Sequence, residues 1–459
     1  MSTPNPPAIG STNDPALKSA IRKASKHLMP MLVILYFVAF LDRTNVGFAE
    51  EALSVDRGIS NGAFALGAGI FFIGYAIFEI PSNLLLKKFG ARFWLARIAV
   101  TWGIVAALFA FTTNDTMFIV LRFLLGVTEA GLFPGVIMFL SEWFPNKVRV
   151  QMFSIFYLAQ PFSQMLGAPL SGWLINIGDS VPGVEGWQVM FAVEGLLAVV
   201  AGFAAFFFLV NSPQDAKFLN KEEKLALKNV MELEDGMKAK SGPSGVLAAM
   251  RNPRVWYFTI IYFCLQIAVY GVTFFLPQQV ASLTGQAVGF QVGLLAAIPW
   301  FFGIFACYFA GKAANTITRR RNLGTILFTS TGLCIFGSAW SGANEQPVLG
   351  IIFITLAVCS FLAVGPITWS YPTAFLTGTA AAAGIGLINS LGNLGGFVAP
   401  ILRTAVNEAA SSEVLGVYAL GVLPFLAAAM MFATRRFKAS GADTLLDKSD
   451  VSAPVLDAK

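Results

Sequence analysis

Charged residues are scarce in this chain of 459 residues. Asp, Glu, Lys and Arg together make up 12% of it, and hydrophobic residues make up 56%. A soluble globular domain carries roughly 25% charged residues, because water has to solvate its surface. The shortage of charge therefore excludes an ordinary soluble protein, and it predicts an all-α polytopic membrane protein whose outer surface meets lipid.

Histidine and cysteine are also few, which limits the possible chemistry. His27 is the only histidine and lies in a basic flank, and the four cysteines lie in apolar runs. The sequence has no nucleophile triad, phosphate-binding loop or cluster of metal ligands. We therefore expect no enzymatic activity, no bound cofactor, no metal site and no disulfide framework.

The charge that is present is mostly positive, with 31 Lys and Arg residues against 25 Asp and Glu residues. The basic residues gather in short loops, which indicates cytoplasmic loops of a membrane protein rather than nucleic-acid binding. They predict that both termini are cytoplasmic. The clusters are Lys18 to Lys26, Lys87 to Arg92, Lys147 to Arg149, Arg319 to Arg321 and Arg435 to Lys438.

About twelve apolar runs have the length that a membrane-spanning helix needs, and the fifth is centred near Ala159. No cleavable signal peptide is visible, so we expect the first run to remain as a span. A long polar stretch, which includes a predicted helix at residues 219–240, divides the runs into six and six. The predicted organisation is a cytoplasmic tail at 1–27, a six-helix bundle at 28–211, a cytoplasmic linker at 212–252, a second six-helix bundle at 253–436 and a cytoplasmic tail at 437–459.

Four segments carry a resemblance to a known family. They are LDRTNVGFA at residues 41–49, GYAIFEIPSNLLLKKFGARFWLAR at 74–97, the run from Arg122 to Gln151, and PTAFLTGTAAAAGIGLINSLGNLGGFVAP at 372–400. The chain resembles the anion:cation symporter family of the major facilitator superfamily, which includes galactonate, glucarate, tartrate, phthalate and hydroxyphenylacetate transporters. The resemblance implies twelve transmembrane helices in two six-helix pseudo-repeats. It also implies organic-acid transport across a bacterial inner membrane.

Arg122 and Glu129 are charged residues inside one apolar run, where charge is costly and therefore marks a functional site. Seven residues of helix are two turns, so both side chains lie along one face, about 10 Å apart along the axis. Arg122 is suited to binding a substrate carboxylate through its guanidinium fork, and Glu129 to loading and releasing a proton. Two alternatives stay open: Arg122 could extend to the lipid headgroups, and Glu129 could belong to a static ion pair.

Asp42 and Arg43 form a second charged point, late in the first span. Adjacent helical residues point about 100° apart, so we expect the two side chains to face different neighbours. Arg43 is a candidate second ligand for the substrate carboxylate, and Asp42 a candidate second protonatable acid. The resemblance agrees with both roles. The alternative is that Asp42 only pins the outer end of the span.

Weaker candidates come from polar residues at spans that line the central cavity in the superfamily. We expect six of them to bind the remaining groups of the substrate, although each could equally be an interhelical hydrogen bond. They are Tyr75, Gln160, Gln266, Trp369, Ser370 and Asn393. Phe40 stands where relatives often have Tyr, which makes a richly hydroxylated sugar acid a less suitable substrate.

The segment from Asn83 to Arg92 resembles the superfamily's loop between the second and third spans. The resemblance implies a cytoplasmic gate formed by Lys87, Lys88, Gly90 and Arg92, which Glu79 and Arg97 could join. Lys87 occupies the usual acidic position of this loop. Asn315 stands at the equivalent acidic position of the second half, which argues against a symmetric charge relay.

These features predict a proton-coupled symporter that imports a small organic carboxylate by alternating access. The substrate would be a sugar acid, a hydroxy-dicarboxylate or an aromatic carboxylate, and the carrier would function as a monomer. Sodium coupling stays open, because carboxylates can bind either ion. The alternatives are an efflux antiporter of the same fold and a nutrient sensor that does not transport.

Overall fold

The computed structural model describes residues 14–240, 251–314, 317–375, 378–412 and 414–436. These residues form helices and connecting turns, with no strand among them, which confirms the predicted all-α class. In the first half the helices are α1 (Pro15–Thr44), α2 (Val46–Arg57), α3 (Asn61–Phe89), α4 (Ala91–Leu108), α5 (Asp115–Glu129), α6 (Leu132–Trp143), α7 (Asn146–Tyr157), α8 (Ala159–Asp179) and α9 (Gly186–Phe208). Helix α10 (Lys221–Lys240) follows. In the second half they are α11 (Pro253–Thr273), α12 (Leu276–Thr284), α13 (Phe290–Ala313), α14 (Ile317–Ala343), α15 (Pro347–Phe375), α16 (Gly378–Asn393), α17 (Gly395–Ala410) and α18 (Leu415–Ala433).

Within the described residues, 11 helical stretches are long and apolar enough to cross a membrane. The predicted span near Ala159 falls on α7 and α8, which are not among them. Helix α8 is rich in polar side chains that are buried against other helices, such as Gln160, Ser163, Gln164 and Ser171. Its polar residues therefore face protein rather than lipid, which explains why it is less apolar than the other spans.

Two breaks in the helices lie beside the predicted charged residues. Helix α5 ends at Glu129 and α6 begins at Leu132, because Gly131 adopts a positive φ of 90°. A Cβ at Gly131 would also lie 2.3 Å from Ser82 Oγ, so a side chain has no room there. The break between α1 and α2 follows Asp42 and Arg43 directly. Glu129, Asp42 and Arg43 are thus held at the ends of helices inside the apolar runs, while Arg122 lies two turns before the end of α5.

The helix ends define two faces of the molecule. The basic face carries Lys87, Lys88, Arg319 and Arg435, and the opposite face carries Asp56, Asp115 and Asp179. Near the opposite face the two halves touch through backbone. A Cβ at Gly47 would lie 2.2 Å from the carbonyl oxygen of Phe274, and Gln278 donates a hydrogen bond to the carbonyl of Gly47. The halves are therefore closed against each other on that side.

Helix α10 confirms the predicted helix in the linker, and it is attached to the start of α1. Glu223 accepts hydrogen bonds from Ser19 Oγ at 2.6 Å and Lys23 Nζ at 3.0 Å, and its side chain is buried. Burial alone would raise the pKa of Glu223, but the hydrogen bonds from Lys23, Ser19 and the Asn220 backbone outweigh it and lower that pKa to about 2. The linker is therefore bound to the first half by a buried carboxylate that stays ionised.

Candidate functional site

Arg43 is the centre of the buried polar network, and it connects the two halves. Its side chain forms an ion pair with Glu129 at the end of α5. Its Nη1 donates a hydrogen bond of 3.2 Å to the hydroxyl of Tyr270 on α11. Tyr270 belongs to the second half, so a change in the charge at Arg43 or Glu129 acts directly on a contact between the halves.

The surroundings of Arg43 are aromatic and dry. Its guanidinium carbon lies 4.8 Å from the ring centre of Phe40, 5.0 Å from that of Phe71 and 5.6 Å from that of Tyr75. Such rings attract a cation, and they exclude the water that would weaken its ion pair. Within the described residues, Arg43 Nε and Glu129 Oε2 are buried and have no hydrogen-bond partner. Buried polar atoms without partners are rare, and here they are positions that a bound substrate or a proton can satisfy.

Arg122 is buried in the same region, with 1% of its surface exposed. It therefore does not extend to the headgroups, and that alternative is wrong. Its Nε donates to the carbonyl of Gly67 at 3.1 Å and its Nη2 to that of Ala68 at 3.4 Å. In the described part of the chain no carboxylate lies within ion-pair distance of Arg122, so its charge is available to an anion. Glu129 pairs with Arg43 instead of with Arg122.

Asp42 faces α4, away from the Arg43 network, as its position next to Arg43 in the helix predicts. It is 1% exposed, and its Oδ2 accepts a hydrogen bond of 2.9 Å from Trp102 Nε1. Its Oδ1 has no partner among the described residues. The bond to Trp102 is compatible with the pinning role, while the free Oδ1 is a place for a proton.

Two of the weaker candidates line a cavity, and a third candidate forms a hydrogen bond with one of them. Gln160 and Gln266 line a cavity between the halves together with Tyr157 and Tyr262, and Arg43 and Arg122 lie outside its lining. Gln266 Nε2 also donates to Asn393 Oδ1 at 2.7 Å, so these two form an interhelical hydrogen bond.

The remaining candidates contact neighbouring protein groups. The rings of Trp369 and Tyr262 pack edge-on, with their centres 4.8 Å apart. Ser370 Oγ donates a hydrogen bond of 2.7 Å to the carbonyl of Ile367 in its own helix. Tyr75 lies beside Arg43. Tyr75 thus contacts the arginine site, while Gln160 and Gln266 face the cavity.

The predicted gate loop contacts its own half. Lys87 and Lys88 are exposed, and Gly90 forms the turn between α3 and α4 with a φ of 85°. The Arg92 backbone N–H donates to Asn211 Oδ1 at 2.9 Å, and its Nε donates to the carbonyl of Phe206 at 2.5 Å. These bonds attach the loop to the end of α9.

A hydrogen bond at Glu79 crosses between the halves near the basic face. Ser390 Oγ on α16 donates to Glu79 Oε2 at 3.1 Å. Arg97 lies over the ring of Trp94 at 4.0 Å, within the first half. Asn315 lies outside the described residues. Glu79 is therefore better placed than the lysines of the loop to join the two halves.

Glu194 is a buried acid that the sequence argument missed. It is fully buried on α9 and accepts hydrogen bonds from Asn45 Nδ2 at 2.8 Å and Ser171 Oγ at 2.7 Å. An acidic residue inside the apolar run at 186–208 was a visible signal, because such residues are costly in hydrocarbon. Its two partners come from two other segments of the chain and could not be read from spacing.

The profile of the Major Facilitator Superfamily matches residues 32–400. The chain belongs to the major facilitator superfamily. The solved structure of the xylose transporter XylE from E. coli in its inward-open conformation is similar to this major facilitator, with a TM-score of 0.72, 16% identity, and coverage of 92% of this chain and 98% of that one. At that identity the likeness shows the fold alone.

Three relatives show what kinds of transporter share this sequence. The chain is 41% identical to the inner membrane transport protein RhmT of Escherichia coli, over 91% of this chain and 96% of the relative. It is 40% identical to a putative tartrate transporter of Agrobacterium vitis, over 87% and 90% respectively. It is 36% identical to a quinolone resistance transporter of Acinetobacter baumannii, over 88% and 92%. This major facilitator is therefore a multi-pass membrane transporter of a small molecule and not an enzyme.

Proposed function

We propose that this chain is a proton-coupled symporter that imports a small organic carboxylate across a bacterial inner membrane by alternating access, with both termini cytoplasmic and the monomer as the working unit. The observation that carries the proposal is the Arg43 to Glu129 ion pair beside Arg122, which itself forms no ion pair with a described carboxylate. One buried carboxylate thus competes with an incoming anion for two buried cations.

This competition supplies the coupling. While Glu129 is ionised it occupies Arg43, and a substrate carboxylate would meet a like charge there. Protonation of Glu129 breaks the ion pair and leaves Arg43 free to bind the substrate with Arg122, since arginine binds carboxylates through two parallel hydrogen bonds. Release of the proton restores the pair and expels the substrate. Loading of proton and anion together is therefore favoured over loading of either alone.

Tyr270 gives the cycle a mechanical connection. Arg43 donates to its hydroxyl across the interface between the halves. A substrate that draws Arg43 away weakens this contact, and proton release strengthens it. Alternating access needs such a differential contact, because a ligand can shift a conformational equilibrium only through a difference in its binding to the two states.

The substrate class follows from the groups around the arginines. Two cations suit a dicarboxylate, and the nearby rings of Phe40 and Phe71 offer few hydroxyl-binding groups. We therefore favour a hydroxy-dicarboxylate such as tartrate or an aromatic carboxylate over a sugar acid. The similarity to a putative tartrate transporter supports the first choice.

The test is uptake of labelled tartrate into proteoliposomes under an imposed proton gradient. Wild type is expected to accumulate tartrate above equilibrium and to lose this accumulation when a protonophore is added. Glu129→Gln is expected to keep tartrate exchange but to lose uphill accumulation, because the glutamine cannot release a proton. Glu408→Gln, a change of an exposed acid on α17, is the matched control and should behave as wild type. Uphill accumulation by Glu129→Gln would contradict the proposal.

An efflux antiporter is the second candidate, and the similarity to a quinolone resistance transporter favours it. The same proteoliposomes, loaded with a fluoroquinolone, separate the two. Proton-driven loss of the drug without tartrate uptake would support the antiporter. The buried arginines do not separate the two candidates, because a fluoroquinolone also carries a carboxylate, so the direction of proton-driven transport decides between them.

A further inference from the structure

Among the described residues, two buried carboxyl groups of the first half have no cation beside them. Asp42 is 1% exposed and Glu194 is 0% exposed. In the part of the chain that the structure describes, the buried arginines are engaged elsewhere: Arg43 pairs with Glu129, and Arg122 bonds two carbonyls. Burying one carboxylate without a cation is costly, and the usual response of such a group is to take up a proton.

The two groups lie in one layer of the bundle. Asn45, one helical turn after Asp42, donates to Glu194 Oε2 at 2.8 Å. Trp102, which donates to Asp42, precedes Gly103 on α4, and Glu194 precedes Gly195 on α9. A Cβ at Gly103 would lie 2.7 Å from the Gly195 carbonyl oxygen, so the two helices cross tightly at this level. The bonds of Asn45 to Glu194 and of Trp102 to Asp42 thus place the two carboxyl groups at the same level of the bundle.

The hydrogen bonds differ between the two carboxyl groups. Glu194 accepts from two donors, Asn45 and Ser171, while Asp42 accepts one bond at Oδ2 and has no described partner at Oδ1. Donors stabilise an ionised carboxylate, whereas an oxygen without a partner favours a proton. The amide oxygen of Asn45 is also buried without a described partner, and reversing this amide would let the oxygen accept a hydrogen bond from the hydroxyl of neutral Glu194. The site can therefore accommodate a proton on either group.

We propose that Asp42 and Glu194 form a proton-binding site that holds one proton on one or the other of its two buried carboxyl groups. Two like charges in one buried layer without a cation cannot both be ionised at low cost, so the pair titrates as a unit. Glu129 also acts on Asp42 electrostatically, but it forms an ion pair with Arg43 and belongs to the substrate site. The site thus rests on the proposed proton coupling and adds Glu194 to it.

The location of Glu194 suits exchange with the opposite face. It lies eight residues after the start of α9, about 12 Å along the helix from that end. The charged groups toward that end include the capping residue Glu185 and Asp179, which accepts a bond of 2.9 Å from the Gly186 N–H. They also include Asp56, which accepts a bond of 2.9 Å from Trp187, and Arg57, which lies over the Trp187 ring. Trp187 lies about two turns before Glu194, so none of these described groups places a cation beside the acid pair.

The test is infrared titration of the purified protein, which separates protonated carboxyl groups from carboxylates and needs no substrate. Either Glu194→Gln or Asp42→Asn is expected to make the remaining partner release its proton at a pH lower by about one unit or more, because the like charge is gone. Glu79→Gln is the matched control, a buried acid with one hydroxyl donor. This variant should lack the infrared signal of Glu79 and leave the titration of Asp42 and Glu194 unchanged.

Three results would overturn the proposal. The first is a titration of Asp42 that occurs at the same pH in Glu194→Gln as in the wild type. The second is loss of the protonated signal at constant pH when sodium replaces potassium, which would reassign the site to sodium. The third concerns Ser171→Ala, which keeps both acids and covers the case in which the acid variants do not fold. It should raise the pH of proton release, and no change would contradict the shared site. Failure of tartrate uptake would reject the symporter while leaving this titration intact.

Discussion

Ser390 on α16 donates a hydrogen bond of 3.1 Å to Glu79 on α3, and this bond joins the two halves near the basic face. The contacts of Gly47 with Phe274 and Gln278 join them near the opposite face. Alternating access requires one set of contacts to open while the other stays closed. The two sets are therefore separate targets for mutation.

Ser390→Ala is expected to open the basic face more often. Loss of one hydrogen bond between the halves costs the closed state about 1 kcal/mol, which is about a fivefold shift in population. Cys307 lines the cavity between the halves and is a native reporter. With the other three cysteines replaced, its maleimide labelling should accelerate about fivefold.

Ser360→Ala is the control for that measurement, because Ser360 bonds Ser330 within the second half at 2.9 Å. It should leave the labelling rate of Cys307 unchanged. Equal rates in Ser390→Ala and wild type would show that the Glu79 bond does not hold the gate.

Gly47→Ala is expected to stop transport by preventing closure at the opposite face. The added methyl group would lie 2.2 Å from the carbonyl oxygen of Phe274, which is backbone and cannot move aside. Tartrate binding in the open state should persist, while proteoliposome uptake falls by at least about tenfold, which corresponds to about 1.4 kcal/mol of lost closure. Gly62→Ala is the control, since nothing lies within 4 Å of its Cβ position. Normal uptake by Gly47→Ala would disprove the closure argument.

Arg122→Ala is expected to weaken tartrate binding by about 2 kcal/mol or more, or at least about thirtyfold, because a buried substrate carboxylate would lose its charged partner. The measurement is thermal unfolding of the detergent-purified protein with increasing tartrate, in which a ligand of the folded state raises stability. Lysine at this position should restore only part of the affinity, because it lacks the planar fork. An unchanged tartrate response would remove Arg122 from the substrate site.

Glu223→Gln is expected to destabilise the attachment of α10 by about 1 kcal/mol near neutral pH, since a buried, hydrogen-bonded charge is lost. The folded pKa of Glu223 is about 2, below the value of about 4.3 expected in an unfolded chain. Its contribution is therefore complete above about pH 4.3 and disappears as the pH falls toward about 2. The difference in unfolding temperature between variant and wild type should stay constant from about pH 5 to about pH 8 and shrink below about pH 4.

Glu232→Gln provides the control on the same helix. Its ion pair with Lys228 is 3.7 Å long and exposed, so its loss should change stability little. A larger effect of Glu232→Gln than of Glu223→Gln would contradict the assigned role of the buried contact.

The sequence by itself determined the membrane class, the helical fold and the charged positions. Low charge and long apolar runs leave few alternatives, because in lipid each backbone polar group has to be satisfied within its own helix. The cost of charge in hydrocarbon also identified Asp42, Arg43, Arg122 and Glu129, and the angle between adjacent helical residues separated Asp42 from Arg43. These inferences use only local geometry.

Only the tertiary structure decided which groups are partners. Glu129 pairs with Arg43, 86 positions away, rather than with Arg122 on its own helix. Glu194 joins Asn45, at the break between α1 and α2, to Ser171 of α8. Gln266 bonds Asn393, and the predicted gate loop binds its own half. Such pairings depend on how the helices cross. At a crossing, a backbone contact at one glycine sets the distance between two whole segments. Helical periodicity gives the face on which a side chain lies, and packing determines what it meets.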